Sequence, residues 1–360
     1  MSDEAGHAVH DTLNSGFIGQ GKVVDAFESK LSEFLQTPFV NTVNSATSGL
    51  HLALHMAKNN SGRDEVLTTP LTCVATNTPI VANGLNIKWV DVNRYDCNIS
   101  IDDLRNKVTS KTLAIIVVHW GGYPVDLDAV DEIASECERL HGFRPLIIED
   151  CAHAFGAVYK KQMIGRRNTC VFSFQAIKHL TTGDGGLITS SDKSSWERVK
   201  LLRWYGLDRT SSNDFRCEQD ITEAGFKFHM NDISASIGLS NLSYVKQNLE
   251  KHRKNSSFYD HNLDLPDMQL LDLKPDRLSS CWIYTLMVDR RDDFINKMRS
   301  CGIQVSRVHD RNDKHTCFKE FKCHLPNLDY VCSKMICLPC GWWMDEEEVI
   351  YVTRSIQNGW

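Results

Sequence analysis

The chain has 360 residues, long enough for one large domain and one smaller domain around an extensive buried core. Lys and Arg number 40 against 46 Asp and Glu, giving a formal net charge of -6 and a sequence pI of about 6.2. With no basic block and no basic-aromatic interleaving, nucleic acid is not expected as a partner.

The opening Met1-Ser2-Asp3-Glu4 is acidic and carries no apolar stretch, and no apolar run approaches bilayer length, so the expectation is a soluble cytoplasmic chain without signal peptide or membrane partner. Through the first two thirds, strand and helix patterns alternate. Strands are expected at Glu65 to Thr69, Ile87 to Asp91, Leu113 to His119, Pro145 to Glu149, Val171 to Phe174 and Gly186 to Thr189. Between them, helical periodicity covers Val24 to Leu35, Asp126 to His141 and Ser194 to Trp204. Such alternation points to an α/β fold with a largely parallel, doubly covered sheet. A helical stretch near Asn231 to Lys254 leads to a second region, with an alternating strand at Cys281 to Val288 and a helix at Arg291 to Cys301.

Most of the chemistry is concentrated between Pro145 and Gly186. The apolar run Leu146-Ile147-Ile148 ends in Glu149-Asp150, with His153 close behind. Ser173 lies in the next apolar run, Lys178 follows five residues later, and Gly183-Asp184-Gly185-Gly186 makes a glycine-rich turn. A lysine amine that is partly unprotonated condenses with an aldehyde, and burial lowers its pKa. A carboxylate facing a pyridine nitrogen keeps that nitrogen protonated, which makes the ring an electron sink. Lys178 and Asp150 have these two roles in a pyridoxal phosphate (PLP) site. Taken singly, each residue has an ordinary reading: a surface lysine, a turn aspartate, a core histidine, a tight glycine turn. The functional reading comes from their joint order.

That order resembles the DegT/StrS sugar aminotransferases, whose pattern runs Asp-x-Ala-His/Gln, Ser-Phe-x-x-x-Lys, then Gly-Glu/Asp-Gly-Gly. Here it reads Asp150-Cys151-Ala152-His153, Ser173-Phe174-Gln175-Ala176-Ile177-Lys178 and Gly183-Asp184-Gly185-Gly186. The resemblance extends over nearly the whole chain. It implies the fold of type I PLP-dependent transferases, with a large domain (residues 1–240) built on a mostly parallel seven-stranded sheet and a smaller α+β domain (241–360). It further implies a Schiff base at Lys178, pyridinium pairing by Asp150, a contact from His153 to the ring hydroxyl and phosphate binding by Ser173. Asn44 to Leu50 stands where the family has a phosphate loop; it opens a helix, whose unpaired amides suit a phosphate, and Ala46 and Thr47 are the expected contacts. The alternative there is that Ser45 or Thr47 is only an N-cap.

Several segments depart from the family pattern or bear on the substrate. In Thr72-Cys73-Val74-Ala75-Thr76 the family has an aromatic that stacks on the cofactor, and Cys73 can touch the ring without covering it. In Gly225 to Asp232, Lys227 replaces an asparagine and His229 an arginine of a segment that reaches the neighbouring subunit's phosphate site, implying a homodimer with shared active sites. An ordinary exposed loop is the alternative. The N-terminal loop with Phe17, Gly19 and Gln20, the residue His179 beside the lysine, and the small-domain loop with Arg307, His309 and Arg311 are the substrate-binding candidates, the two arginines as forks for a diphosphate. The 13 cysteines are scattered; Cys337-Leu338-Pro339-Cys340 lies near His309, His315 and His324 but fits no zinc spacing, so core packing is expected and no metal.

The resemblance implies amino transfer from glutamate, through the pyridoxamine phosphate (PMP) form, to the C4 ketone of a nucleotide-linked 4-keto-6-deoxyhexose, with 2-oxoglutarate released. Three alternatives remain open: amination at C3, a deoxysugar dehydratase of the same fold, which would lack the lysine, and a cofactor-binding regulator that never turns over.

Overall fold

The computed structural model describes residues 1–58, 62–209 and 218–360. A seven-stranded sheet runs, from edge to edge, through strands Val40–Val43, Gly186–Thr189, Thr169–Ser173, Leu146–Asp150, Thr112–Val118, Glu65–Thr68 and Asn86–Trp89. The last five are mutually parallel, whereas Gly186–Thr189 is antiparallel to both of its neighbours. This is the mixed α/β layering with a mostly parallel sheet that the alternation of elements predicts.

The pleat of the sheet divides the core in two. Ile115, Val117 and Ile147 face one way, against Phe27 and Leu31 of helix Lys22–Leu35 and Val130 and Ile133 of helix Leu127–His141. Ala114, Ile116 and Ile148 face the other way, against Leu50 and Leu54 of helix Ala46–Ala57 and Val199 of helix Lys193–Leu202. Every residue of Thr112–Val118 is buried, as a central parallel strand covered on both sides should be.

The C-terminal region adds an antiparallel sheet of Met268–Leu270, Tyr284–Val288 and Met335–Leu338. It packs on helices Val245–Asn262, Arg291–Ser300 and Glu346–Gln357 around Tyr259, Leu286, Phe294 and Ile336. Two sequence expectations change here. The strand expected from Cys281 begins at Tyr284 and is buried throughout, because Met287 faces the core of the large sheet while Leu286 and Val288 face the small one. The helix expected from Asn231 to Lys254 is two helices, Asp232–Leu242 and Val245–Asn262, separated by a turn at Ser243 and Tyr244. Cys337 and Cys340 are buried in this packing, and burial pushes the Cys337 thiol up to about 12. Among the described residues no helix is long and apolar enough to cross a membrane.

A buried ion pair ties helix Lys22–Leu35 to the sheet edge. Arg203, at the end of helix Lys193–Leu202, donates to Glu28 and to the carbonyl of Thr42, and Glu28 also accepts from the Thr42 N–H and hydroxyl at 2.7 and 2.8 Å. Arg203 is 1% exposed. Truncating one partner of such a pair strands the other charge, so Arg203→Leu should cost about 3–5 kcal/mol in urea denaturation. A loss within about 0.5 kcal/mol would show that water reaches Glu28.

Candidate active site

Three strand ends and one helix start converge on a cavity of about 350 Å³ lined by Ser45, Ala46, Thr47, Cys73, Thr76, Asp150, His153, Ser173, Lys178 and His309, among others. Ser45 caps helix Ala46–Ala57 by accepting from the Ser48 N–H at 3.1 Å, which leaves the first amides of the helix facing the cavity. Gly186 lets the sheet approach this turn: a Cβ there would lie 2.6 Å from the Ala46 nitrogen and 2.7 Å from the Ser45 carbonyl carbon. The helix start is thus pressed against the sheet, next to Ser173.

Asp150 ends the central strand Leu146–Asp150 and is 4% exposed. It accepts from the Thr76 hydroxyl at 2.7 Å and from the Ala152 N–H at 3.0 Å, and Thr72 in turn meets Thr76 at 2.7 Å. Burial raises the carboxyl above its usual range, while those hydrogen bonds and the nearby Lys178 and His119 hold it down. Lys178 is half-buried. Burial lowers its amine from 10.5 to about 8, against the pull of Asp150 and Cys73. An amine so placed is partly neutral near physiological pH, as a nucleophile requires.

Beneath Asp150 lies a second, fully buried pair. Glu149 is 3.0 Å from His119 Nε2 and accepts from Asn168 at 2.7 Å. Because the Val125 N–H donates to His119 Nδ1, the ring proton sits on Nε2 and points at Glu149. These two residues and Cys151 come close enough to enclose a metal ion, but both ring nitrogens of the histidine are already committed.

His153 is 3% exposed, and its Nε2 lies 3.3 Å from His309 Nε2 in a nearly coplanar pair. Burial, reinforced by Lys178, holds both imidazoles neutral: His309 falls to about 4 and His153 goes well below its usual value. His153 Nδ1 is a buried nitrogen without a hydrogen-bond partner. Such an orphan needs a partner from outside the chain.

These features fit PLP. The helix start with Ala46, Thr47 and Ser173 suits the phosphate, Asp150 the ring nitrogen, the orphan His153 Nδ1 a ring oxygen, and Lys178 the aldehyde. The cavity therefore brings together Ala46, Thr47, Cys73, Asp150, His153, Ser173, Lys178 and His309.

Other residues named from the sequence lie elsewhere. His179 is buried and faces away, with its Nε2 2.9 Å from the Ser280 carbonyl. Arg311 is gripped in two-point fashion by Asp313, both contacts 2.6 Å, and by Asp329, so a diphosphate would have to displace two carboxylates. Arg307 is half-exposed, 3.5 Å from Asp310. His229 packs on Trp204, and burial with Lys227, Arg209 and Arg203 nearby lowers it to about 4, so it brings no positive charge to the place of an arginine. Lys227 is exposed and does not line the cavity. Phe17 is 81% exposed; Gly19 accepts from the Asp232 N–H at 2.8 Å, and Gln20 from Arg209 at 2.7 Å, both through their carbonyls. Sequence reasoning missed Thr76 as the hydroxyl on Asp150, although its four-residue spacing from Thr72 was visible, and it missed Trp282, whose ring centre lies 3.5 Å from Lys178 Nζ.

Residues 1–357 match the DegT/DnrJ/EryC1/StrS aminotransferase family. The chain is similar to AtS13 from Actinomadura melliaura, with 47% identity and a TM-score of 0.98 over all of this chain and 96% of that one. It is also similar to the sugar aminotransferase CalS13 from Micromonospora echinospora, with 40% identity and a TM-score of 0.96 over all of this chain and 98% of that one. The spore coat polysaccharide biosynthesis protein SpsC of Bacillus subtilis is 28% identical over 369 residues, 97% of this chain and 92% of the relative.

The depressed proton affinity of Lys178 can be read directly. In the cofactor-free chain, acylation of Lys178 by an amine-selective reagent, followed by peptide mapping, should reach half its limiting rate near pH 8, because only the neutral amine reacts. An ordinary surface lysine needs a pH of about 10.4. A Lys178 midpoint near that value would mean the amine is not buried.

Proposed function

From the premise that this chain belongs to the DegT/DnrJ/EryC1/StrS aminotransferase family, and is therefore a PLP-dependent aminotransferase, we propose that it moves an amino group from glutamate to the C4 ketone of a nucleotide-linked 4-keto-6-deoxyhexose. The observation that carries this reading is the placement of a partly neutral Lys178 and a buried Asp150 in one cavity whose other wall is a helix start. The relatives described as a sugar aminotransferase and a polysaccharide biosynthesis protein support a sugar acceptor.

Bound in the cavity, PLP supplies a protonated pyridine ring able to take up the electrons left behind when a Cα proton departs. Asp150, fixed by Thr76 and Ala152, holds that ring nitrogen in its charged form. The amides of Ala46 and Thr47, with Ser173, anchor the phosphate and so set where the reacting carbons lie. Lys178 would hold the aldehyde end of the cofactor and, as a free amine, would accept and return the proton of the donor Cα; its lowered pKa suits both directions. His153 donates from Nδ1 to the ring oxygen, and His309 fixes His153 from the far side.

A second copy of the chain completes the site in this reading. Phe17, Ile18 and Ile177 stand 81%, 48% and 61% exposed, and Lys227 and His229 do not reach the cavity of their own chain, which supports their use across a homodimer. The dehydratase alternative is disfavoured because Lys178, and not the adjacent His179, lines the cavity. Amination at C3 would use the same residues.

The holoprotein should show a visible absorption band that shifts when glutamate is added. In Lys178→Ala, borohydride should no longer fix the cofactor to the chain, and turnover should fall by about 10³-fold or more. Asp150→Asn should keep the attachment yet slow transfer by at least about 10²-fold. A panel of keto-sugar nucleotides, assayed for product by mass and NMR, then separates C4 from C3 amination. A colourless protein, or borohydride labelling of another lysine, overturns the proposal.

A further inference from the structure

The ring of Trp282 covers Lys178 Nζ at 3.5 Å. On the same indole, the His153 ring stacks at 3.9 Å, inclined by 22°. The indole N–H donates to the carbonyl of Ile177 at 3.0 Å, so Trp282 is fastened to the segment that carries the lysine. Trp282 also lines a surface groove of about 690 Å³ beside Val308, Cys337 and Trp343, while it is itself 7% exposed. The indole is therefore the partition between that groove and the lysine amine.

The backbone that delivers Trp282 is held with unusual care. Cys281 adopts φ +52°, a strained angle for a residue with a side chain. Trp282 N–H donates to Gly121 O at 2.8 Å, and Ser280 donates its hydroxyl to His153 O at 2.6 Å and its N–H to Gly122 O at 3.2 Å. Ser280 O and Cys281 O lie 2.9 Å from nitrogens of His179 and His252. Gly122, at φ +93°, is required there: a Cβ would meet Ser280 Oγ at 2.1 Å and His153 O at 2.6 Å. Strain persists where the surroundings over-determine it, and here they fix one indole face over one amine.

Resting on the aminotransferase reading above, we propose that Trp282 is the positioning residue of the transfer lysine: its face carries Lys178 Nζ whenever that atom is not bonded to the cofactor, and its bulk keeps water from it. The face attracts an ammonium, which favours the proton, while the cover removes water, which disfavours it. Burial is the leading influence on Lys178, ahead of Asp150 and Cys73; His153 and His309 near the amine, and His179 turned away from it toward the Ser280 carbonyl, are all lowered by burial. Removal of the indole should thus act mainly by letting water in.

The test uses the full chain and three variants read in parallel. In the cofactor-free protein, the midpoint of Lys178 acylation should stay within a few tenths of pH 8 in Trp282→Phe and move up by at least one pH unit in Trp282→Leu. In the holoenzyme, Trp282→Leu should lower kcat about tenfold and leave the KM for the keto sugar within about twofold, and Trp282→Phe should recover most of the rate. Wild type minus Trp282→Phe fluorescence isolates the Trp282 emission and should titrate with the lysine near pH 8, a readout that stands even where Trp282→Leu folds poorly. An unchanged acylation midpoint in folded Trp282→Leu, or a flat difference fluorescence across that range, overturns the role of Trp282. Lys178→Ala, as the third variant, reports separately on the aminotransferase reading: retained cofactor attachment there would sink that reading and leave the acylation result intact.

Discussion

The site depends on keeping an acid and an amine, Asp150 and Lys178, out of water in one cavity. Opposite charges attract more strongly at the lower effective dielectric of such a site than they do in water. Burial works against both charges, raising the proton affinity of Asp150 and lowering that of Lys178. What opposes collapse to two neutral groups is the local hydrogen bonding: Thr76 on the carboxylate with Thr72 behind it, the Ala152 amide beside it, and the His119–Glu149 pair directly beneath. A reactive amine and a carboxylate still ready to pair with a cation are two results of one arrangement.

The large sheet makes that arrangement possible. Parallel strands end together, so Asp150 and Ser173 emerge on the same edge as the helix start at Ala46, and no long-range fitting is needed to bring them near one another. The small sheet contributes differently. The C-terminal region reaches the cavity through His309, whose neighbour Val308 sits at φ +57°, an unusual angle for a β-branched residue, and it backs Lys178 and His153 with Trp282. Cys281 and Val308, both at positive φ, adjoin Trp282 and His309 respectively.

What was legible in the sequence was what local spacing encodes. The strand end at Asp150, the five-residue step from Ser173 to Lys178 and the glycine turn are short-range patterns, and the fold keeps them together. Trp282 was not legible, since it comes from beyond position 280 and is placed by backbone angles that no periodicity announces. Nor could residue type alone reveal that Asp313 and Asp329 hold Arg311, or that burial against Trp204 leaves His229 uncharged. At the level of elements, alternation gave the parallel strands, while Val40–Val43 was missed because four buried residues carry no period. The final helix was missed despite a readable start: Asp345 and Glu348 form a reciprocal cap, and the pattern Asp-x-x-Glu stands in the sequence.

The edge pairing of Val40–Val43 with Gly186–Thr189 also sets an order of events during synthesis. The segment Val40–Val43 has no strand partner until Gly186–Thr189 has been made, and only then does the helix start at Ala46 gain its wall. Pairing over so long a stretch of chain is slow and leaves an edge open to wrong partners. Fragments released before that point would carry most of the parallel strands and still lack a phosphate cradle, which makes them candidates for aggregation and for chaperone capture.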